Sequence, residues 1–294
     1  VTIGAFDRTR NLQLLEDGTY DVLIIGGGIT GCGVALDAAS RGLRTALVER
    51  DDFSSGTSSK SSKLIHGGLR YLQNGDVRLV YEALRERQRL LRNAPHLVKV
   101  MPFLIPMFGK DGVIHPKLAR ALGSAMWMYY VTGGARIGNL HKRISAEETM
   151  AHMPTLPPGR IAASYLYYDA QADDSRLTVT VARTAAEEHG AVCVNHAPVV
   201  ELVRAGGRRV SGAVVEADGQ RIEIRAKAVV NATGVWADDV RTLDEGANPD
   251  TIRPAKGIHL TVPWSLVRND IAVVAPVPKD KRSVFVVPWP AADG

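Results

Sequence analysis

The sequence predicts an α/β fold in two parts. One is a parallel sheet covered by helices; the other is an α+β unit built on an antiparallel sheet. Three observations carry this. An apolar, β-branched run near the start ends in glycines and passes into an alanine-rich helical pattern. Beyond residue 198, three alternating segments are divided by Gly206-Gly207 and Asp218-Gly219. Short apolar runs then close the chain. Its 294 residues leave room for roughly two domains.

Composition narrows the class. With 45% hydrophobic and 23% charged residues, a disordered tail, a collagen-like fibre and a polytopic membrane protein are excluded. Two cysteines, Cys32 and Cys193, form no disulfide framework and fit a reducing compartment. A net charge of +5 suits an anionic ligand or membrane surface, and is too diffuse to argue for nucleic acid. Val1 to Thr19 carries charges throughout, so no secretory signal is expected. No apolar run reaches the roughly 18 residues of a spanning helix. Met101–Phe108, interrupted by Pro102 and Pro106, and Ala125–Val131 read as core.

Tyr20–Ile25 reads as a buried parallel strand. Gly26-Gly-Gly28-Ile-Thr-Gly31-Cys-Gly33 follows, then a helix over Val34–Arg41 stopped by Gly42, then a strand over Arg44–Val48 ending at Glu49. Gly26 allows a tight turn off the strand. Gly28 removes a side chain where backbone must approach a pyrophosphate, and Gly31 lets helix pack on sheet. The helix N-terminus offers free N–H groups to phosphates. Glu49, 18 residues after Gly31, is placed to accept both hydroxyls of an adenosine ribose. The unit is Rossmann-like, and its acid prefers NAD or FAD over NADP. Behind it, Ser54 to Lys63 is rich in hydroxyls and lysine, which suits phosphate and ribityl oxygens.

The stretch Gly56-Thr-Ser-Ser-Lys-Ser-Ser-Lys-Leu-Ile-His-Gly-Gly-Leu-Arg-Tyr-Leu72 closely resembles the FAD-dependent, quinone-linked glycerol-3-phosphate dehydrogenases. So do Arg78–Arg87, Ala94–Val98, Tyr168-Asp169, Asp173–Leu177, Val230–Trp236, Lys256–His259 and Val284–Trp289. The resemblance covers nearly the whole chain from Tyr20. It implies a glycine-oxidase or D-amino-acid-oxidase-like fold, with a Rossmann-like FAD domain and an inserted substrate domain. It implies oxidation of sn-glycerol 3-phosphate to dihydroxyacetone phosphate, with electrons passing through FAD to a quinone. It also implies peripheral contact with the inner, cytoplasmic face of the cell membrane, and a homo-oligomer. Family members continue past the Phe-Val-Val-Pro-Trp strand with a Gly-Thr-Thr-Asp segment, phosphate-holding arginines and a Gly-Gly-Lys flavin segment. This chain is therefore expected to be the N-terminal part of such an enzyme. The expected segments are 18–105 and 166–240 for FAD, with 106–165 and 241–294 for substrate.

The remaining elements follow in order. Val77–Leu91 reads as an amphipathic helix with a solvated charged face and Glu82/Arg85 and Glu86/Arg89 pairs. Lys110–Gly138 reads as a helical cap, and Thr149–Gly159 as a loop. Asp173 or Asp174 caps a helix running to His189. Asp169, Asp173 and Asp174 lack His or Cys at ligand spacing, so no metal is expected. Ala191–Val194 reads as a parallel strand. Val199–Val203, Val210–Glu216 and Arg221–Ala226 read as a small antiparallel sheet. Ala228–Gly234 reads as a buried strand ending in a second dinucleotide turn, which favours FAD over NAD. Ile258–Val262, Ile271–Ala275 and Val284–Pro288 read as substrate-domain strands.

FAD is thus expected at Gly26, Gly28, Ile29, Thr30 and Gly31; at Glu49 and Arg50; at Thr57, Ser58, Ser59, Ser61, Ser62, Lys63, His66, Gly67 and Gly68; at Val199; and at Ala232, Thr233, Gly234 and Trp236. His66 is the candidate base, since imidazole titrates near neutrality. Arg70 and Tyr71 are candidates for substrate oxygens. Lys256 and His259, expected in a strand, are candidates for the same cavity. The alternatives are a flavin oxidase of an amine or another 2-hydroxy acid, and an inactive FAD-binding fragment.

Overall fold

The computed structural model describes residues 6–68, 76–109, 116–132, 138–207, 209–277 and 283–289. The chain divides into two compact units, each made of two stretches. Val1–Ser62 joins Asp173–Gly257, and Lys63–Ala172 joins Ile258–Gly294. The crossings therefore lie at 62/63, 172/173 and 257/258, against 105/106, 165/166 and 240/241 in the segmentation expected by ligand.

The first unit is built on one mixed sheet. Its strands are β1 (Thr19–Ile25), β2 (Thr45–Val48), β7 (Val192–Val194), β8 (Val199–Ala205), β9 (Arg209–Ala217) and β10 (Gln220–Asn231), in the order β7-β2-β1-β10-β9-β8. β7, β2, β1 and β10 run parallel; β9 and β8 add antiparallel hairpins. The period-2 alternation of a strand splits each apolar run between two cores. Leu23, Ile25, Ala46, Val48, Val192 and Val194 face one side with Leu15. Ile24, Leu47 and Cys193 face the other. There α2 (Ile29–Ser40) and α6 (Asp174–Glu187) cover the sheet through Ala35, Ala39, Ala182, Ala185 and Ala186. Alanine at these positions lets the helices lie close to the strands. Asp173 caps α6 by accepting from the Arg176 N–H at 3.0 Å. The charged N-terminal stretch contains α1 (Arg8–Asp17), which seals the first core with Leu15.

One expectation changes here. The hairpins are not a separate small sheet. β10 is a single 12-residue strand whose first half pairs with β9 and whose second half, from Arg225 to Asn231, pairs with β1. Its end, from Ala228 to Asn231, is exposed to half-buried rather than buried.

The second unit holds β3 (Leu64–Ile65), β4 (Val98–Phe108), β5 (Lys142–Ile144), β6 (Ile161–Ala172), β11 (Ala272–Pro276) and β12 (Ser283–Val286). The order is β12-β11-β4-β6-β3, with β5 also on β6. β4 runs through Pro102 and Pro106 without interruption and pairs along β6. α3 (Val77–Asn93) and α4 (Pro116–Thr132) cover one face through Val80, Leu84, Met126 and Tyr129. In α4 only part of the apolar run is core; Trp127, Met128 and Val131 are exposed. On α3, Glu86 meets Arg89, but Glu82 pairs with Arg78. Arg87 departs from the solvated face altogether, being 1% exposed.

Two more expectations change. Thr149–His152 is helical, the end of α5 (Ala146–His152), because Ser145 and Glu148 form a reciprocal capping box. Ile258–Val262 forms no strand: Ile258 and Leu260 are 82% and 85% exposed. Alternation alone cannot make a strand without a partner edge. Among the described residues, no helix is long and apolar enough to cross a membrane.

Candidate functional site

The first unit carries a cleft of about 520 Å³ at the carboxyl ends of β1, β2 and β10, where the connections diverge. That volume lies within the usual range of small-molecule sites. Its floor is Ile25, Val48 and Ala232.

Gly26 and Gly31 act as the sequence requires. Gly26 has φ +113°, and a Cβ there would lie 2.6 Å from the Ala232 carbonyl oxygen. Gly31 is tighter: its Cβ would sit 1.9 Å from the Gly26 carbonyl oxygen, so only hydrogen permits α2 to pack on the turn. Gly28 borders the cleft, and a Cβ there would meet only the Ser58 hydroxyl, at 3.1 Å. Ile29 and Thr30 complete the first wall. The Ile29 N–H donates to Ser58 Oγ at 2.9 Å, which ties the N-terminus of α2 to the hydroxyl loop. Glu49 accepts from the Gly27 N–H at 2.6 Å and the Asp51 N–H at 2.8 Å, which aims its carboxylate along the cleft wall.

The hydroxyl-rich loop divides. Thr57 and Ser58 line the cleft from a short 3-10 turn over Thr57–Ser59. Ser59 donates to the Gly56 carbonyl at 3.3 Å instead. Ser61 donates its N–H and hydroxyl to Asp174, at 3.1 and 2.7 Å, and so ties the loop to α6. Ser62 is exposed. Lys63 belongs to the second unit, where its Nζ lies 4.9 Å over the Trp289 ring.

The opposite wall is the second glycine turn. Asn231 Oδ1 accepts from the Thr233 N–H and hydroxyl, and its Nδ2 donates to the Ala237 carbonyl at 2.9 Å. This leads the chain through Gly234, at φ +61°, into α7 (Ala237–Glu245). Thr233, Gly234 and Trp236 line the cleft, and so does Val199 from β8. The Arg50 guanidinium lies 4.8 Å over the Trp236 ring, and Trp236 packs where a Gly56 side chain would be. Sequence reasoning missed Ile25, Val48, Ser55, Gly56, Ala197, Val235, Asp239, Val240 and Leu243 in the lining. The signal for the last three was present: they share one face of a helix that begins straight after a glycine turn.

Within the second unit, His66 precedes a buried Gly67-Gly68 turn. The Gly68 N–H donates to His66 Nδ1 at 3.0 Å, so the neutral ring carries its proton on Nε2. Gly67 donates its N–H to Asp169 Oδ1 at 3.0 Å and to the Tyr129 hydroxyl at 3.1 Å. Asp169 also pairs with Arg87 and accepts from the Tyr129 hydroxyl at 2.7 Å. Burial pushes the Asp169 carboxyl up, while Arg87, Tyr129 and Gly67 draw it back. Burial and the Asp169 charge raise the Tyr129 phenol, which keeps it a donor. Asp169, Asp173 and Asp174 are thus engaged in an ion pair, a helix cap and a loop tether. His66, Gly67 and Gly68 lie in the other unit from the cleft. Arg70 and Tyr71 lie outside the described residues. Lys256 and His259 are exposed, in no strand, and fall in different units.

The chain resembles known proteins over almost its full length. It is 43% identical to the mitochondrial glycerol-3-phosphate dehydrogenase of Arabidopsis thaliana over 284 residues, covering 92% of this chain and 44% of that protein. It is 43% identical to the glycerol-3-phosphate dehydrogenase of Mycobacterium leprae over 290 residues, covering 98% and 48%. The crystal structure of the Bacillus halodurans glycerol-3-phosphate dehydrogenase complexed with FAD matches at a TM-score of 0.71 and 29% identity, covering 98% and 49%. The chain therefore spans about half the length of these relatives. The profile of the FAD dependent oxidoreductase (DAO) family matches residues 21–294. With a glycine-turn cleft at the strand ends and this match along the chain, the protein belongs to the FAD dependent oxidoreductase family.

Proposed function

We propose that the first unit holds FAD in its cleft, and that the whole protein oxidises sn-glycerol 3-phosphate to dihydroxyacetone phosphate. One observation carries the reading. The side-chain-free turn at Gly26–Gly28 opens on a cleft bounded by Glu49 and the Thr233–Trp236 turn, in a chain 43% identical to named glycerol-3-phosphate dehydrogenases.

The residues fit the cofactor. The backbone at Gly28 and the first turn of α2 suits a pyrophosphate. The Glu49 carboxylate has lone pairs beyond its two backbone bonds for ribose hydroxyls. Arg50 and Trp236 form a planar cover suited to a flat ring. Bound FAD supplies the acceptor for the hydride that leaves C2 of the alcohol.

The protein's own task is to orient the alcohol and manage its hydroxyl proton. His66 is assigned to that task. As its ring is held, Nε2–H donates to the alcohol oxygen and orients it; the hydroxyl proton would pass to Nδ1, the ring's one acceptor, once the Gly68 amide releases it and the ring turns that nitrogen to the alcohol. Arg70, Tyr71, Lys256 and His259 are assigned to the substrate on the resemblance, and the division of FAD and substrate segments belongs to the same reading. A quinone acceptor, a peripheral membrane contact on the inner face and a homo-oligomer complete it. The net charge of +5 supports the anionic ligands and the lipid contact.

The test is anaerobic reduction of the FAD-loaded protein. Glycerol 3-phosphate should bleach the flavin band, and glycine or D-amino acids should not. Bleaching by an amino acid alone would overturn the substrate assignment. His66→Ala should lower turnover by about 10²-fold with FAD retained.

A further inference from the structure

We propose that Arg87, Asp169 and Tyr129 form a buried positioning network that sets the orientation and tautomer of His66. The proposal deepens the function above, since it rests on His66 being the residue that meets the substrate oxygen.

The geometry converges on one atom. Asp169 Oδ1 receives the Arg87 guanidinium, the Tyr129 hydroxyl at 2.7 Å and the Gly67 N–H at 3.0 Å. Arg87 and Asp169 are each 1% exposed and Tyr129 is 3% exposed. The three come from three separate elements, α3, β6 and α4, and none of them lies in the hydroxyl-rich loop itself. Arg87 makes its bonds through Nη1, while its Nε and Nη2 find no hydrogen-bond partner among the described residues; the three donors gathered on one buried carboxylate oxygen still hold that oxygen in one arrangement.

What it holds is the peptide next to His66. Gly67 cannot be another residue here, because a Cβ would lie 2.1 Å from Leu84 Cδ2 and 2.3 Å from the Tyr129 hydroxyl. With Gly67 pinned, Gly68 takes the left-handed region at φ +74°. Its N–H then points at His66 Nδ1, 3.0 Å away. A backbone N–H can only donate, so Nδ1 must be the acceptor and Nε2 must carry the proton. The buried carboxylate thus acts on the imidazole through two successive amides.

Tyr129→Phe keeps the ring and removes only the hydroxyl. It should fold, and it should loosen Gly67 without stranding the Arg87 charge. Asp169→Asn removes the charge and serves as the stronger perturbation. The first readout is the side-chain ¹⁵N spectrum of His66 in the FAD-loaded protein without substrate. Wild type should show the single Nε2–H tautomer, and Tyr129→Phe should show exchange between tautomers. The second is kinetic: kcat should fall by about tenfold or more with KM nearly unchanged, and the pH profile should shift. An unchanged His66 spectrum in Tyr129→Phe, or a wild-type ring protonated at Nδ1, would overturn the proposal. If Asp169→Asn folds with the wild-type spectrum, that too overturns it. Because the spectrum needs no substrate, these failures are distinct from a failure of glycerol 3-phosphate to reduce the flavin.

Discussion

Adding one methyl group at Gly31 tests the logic of the cofactor turn directly. A Cβ at Gly31 would lie 1.9 Å from the Gly26 carbonyl oxygen, against about 3.3 Å for an ordinary C···O approach. Gly31→Ala must therefore push α2 off the turn by roughly 1.4 Å, the difference between those separations. The obstacle is backbone, so it cannot swing aside. Overpacking costs about 1–3 kcal/mol in general, and the upper end applies here. A loss of about 3 kcal/mol lowers Tm by roughly 6–12 °C. The same shift moves the α2 amides from the pyrophosphate position proposed for FAD; losing one hydrogen bond to a charged group, about 1.5 kcal/mol, should weaken FAD binding roughly tenfold. Gly33 supplies the control. It lies two positions along the same helix, and nothing stands within 4 Å of its Cβ position. Gly33→Ala should stabilise by about 0.5–1 kcal/mol through helix propensity. Thermal unfolding and FAD titration by flavin fluorescence measure both variants. Equal behaviour of the two, or an undisturbed Gly31→Ala, would refute the packing argument.

Three further outcomes are expected. Burial pushes both the Cys32 and Cys193 thiols up to about 12, so neither should react with a thiol reagent at pH 8 until the protein is unfolded. Asp238 accepts from Ile252, from the Thr251 N–H and from the Thr251 hydroxyl, which holds its carboxyl below the usual range. Its stabilising effect is complete above the unfolded value of about 4 and is lost as pH falls through the lower folded value; the Tm gap between wild type and Asp238→Asn should close on acidification. Trp236→Ala removes the face on which Arg50 rests at 4.8 Å and should weaken FAD binding by about threefold to tenfold; an unchanged dissociation constant would separate this lid from the cofactor.

The legible parts share a cause. The glycine turn, the Glu49 strand end and the Asp173 cap are local devices. Each needs a particular residue at a fixed short spacing, and the backbone answers with one geometry. Gly31 was placed from spacing alone and meets the Gly26 carbonyl as that spacing requires. The double-sided burial of β1 and β2 was likewise readable, because parallel strands between helices must be apolar on both faces.

What the linear pattern could not reveal depends on partners far along the chain. Ile258–Val262 alternates like a strand and forms none, while β4 continues through two prolines because β6 lies beside it. The charged stripe of α3 gave no sign that Arg87 would turn inward. That choice needs Asp169, 82 residues later, and Tyr129, 42 residues later, to compensate a buried cation. Local propensity specifies short-range backbone geometry, which one stretch of residues can satisfy alone. Burial of charge and the pairing of strands are settled by contacts that exist only once the whole chain has folded.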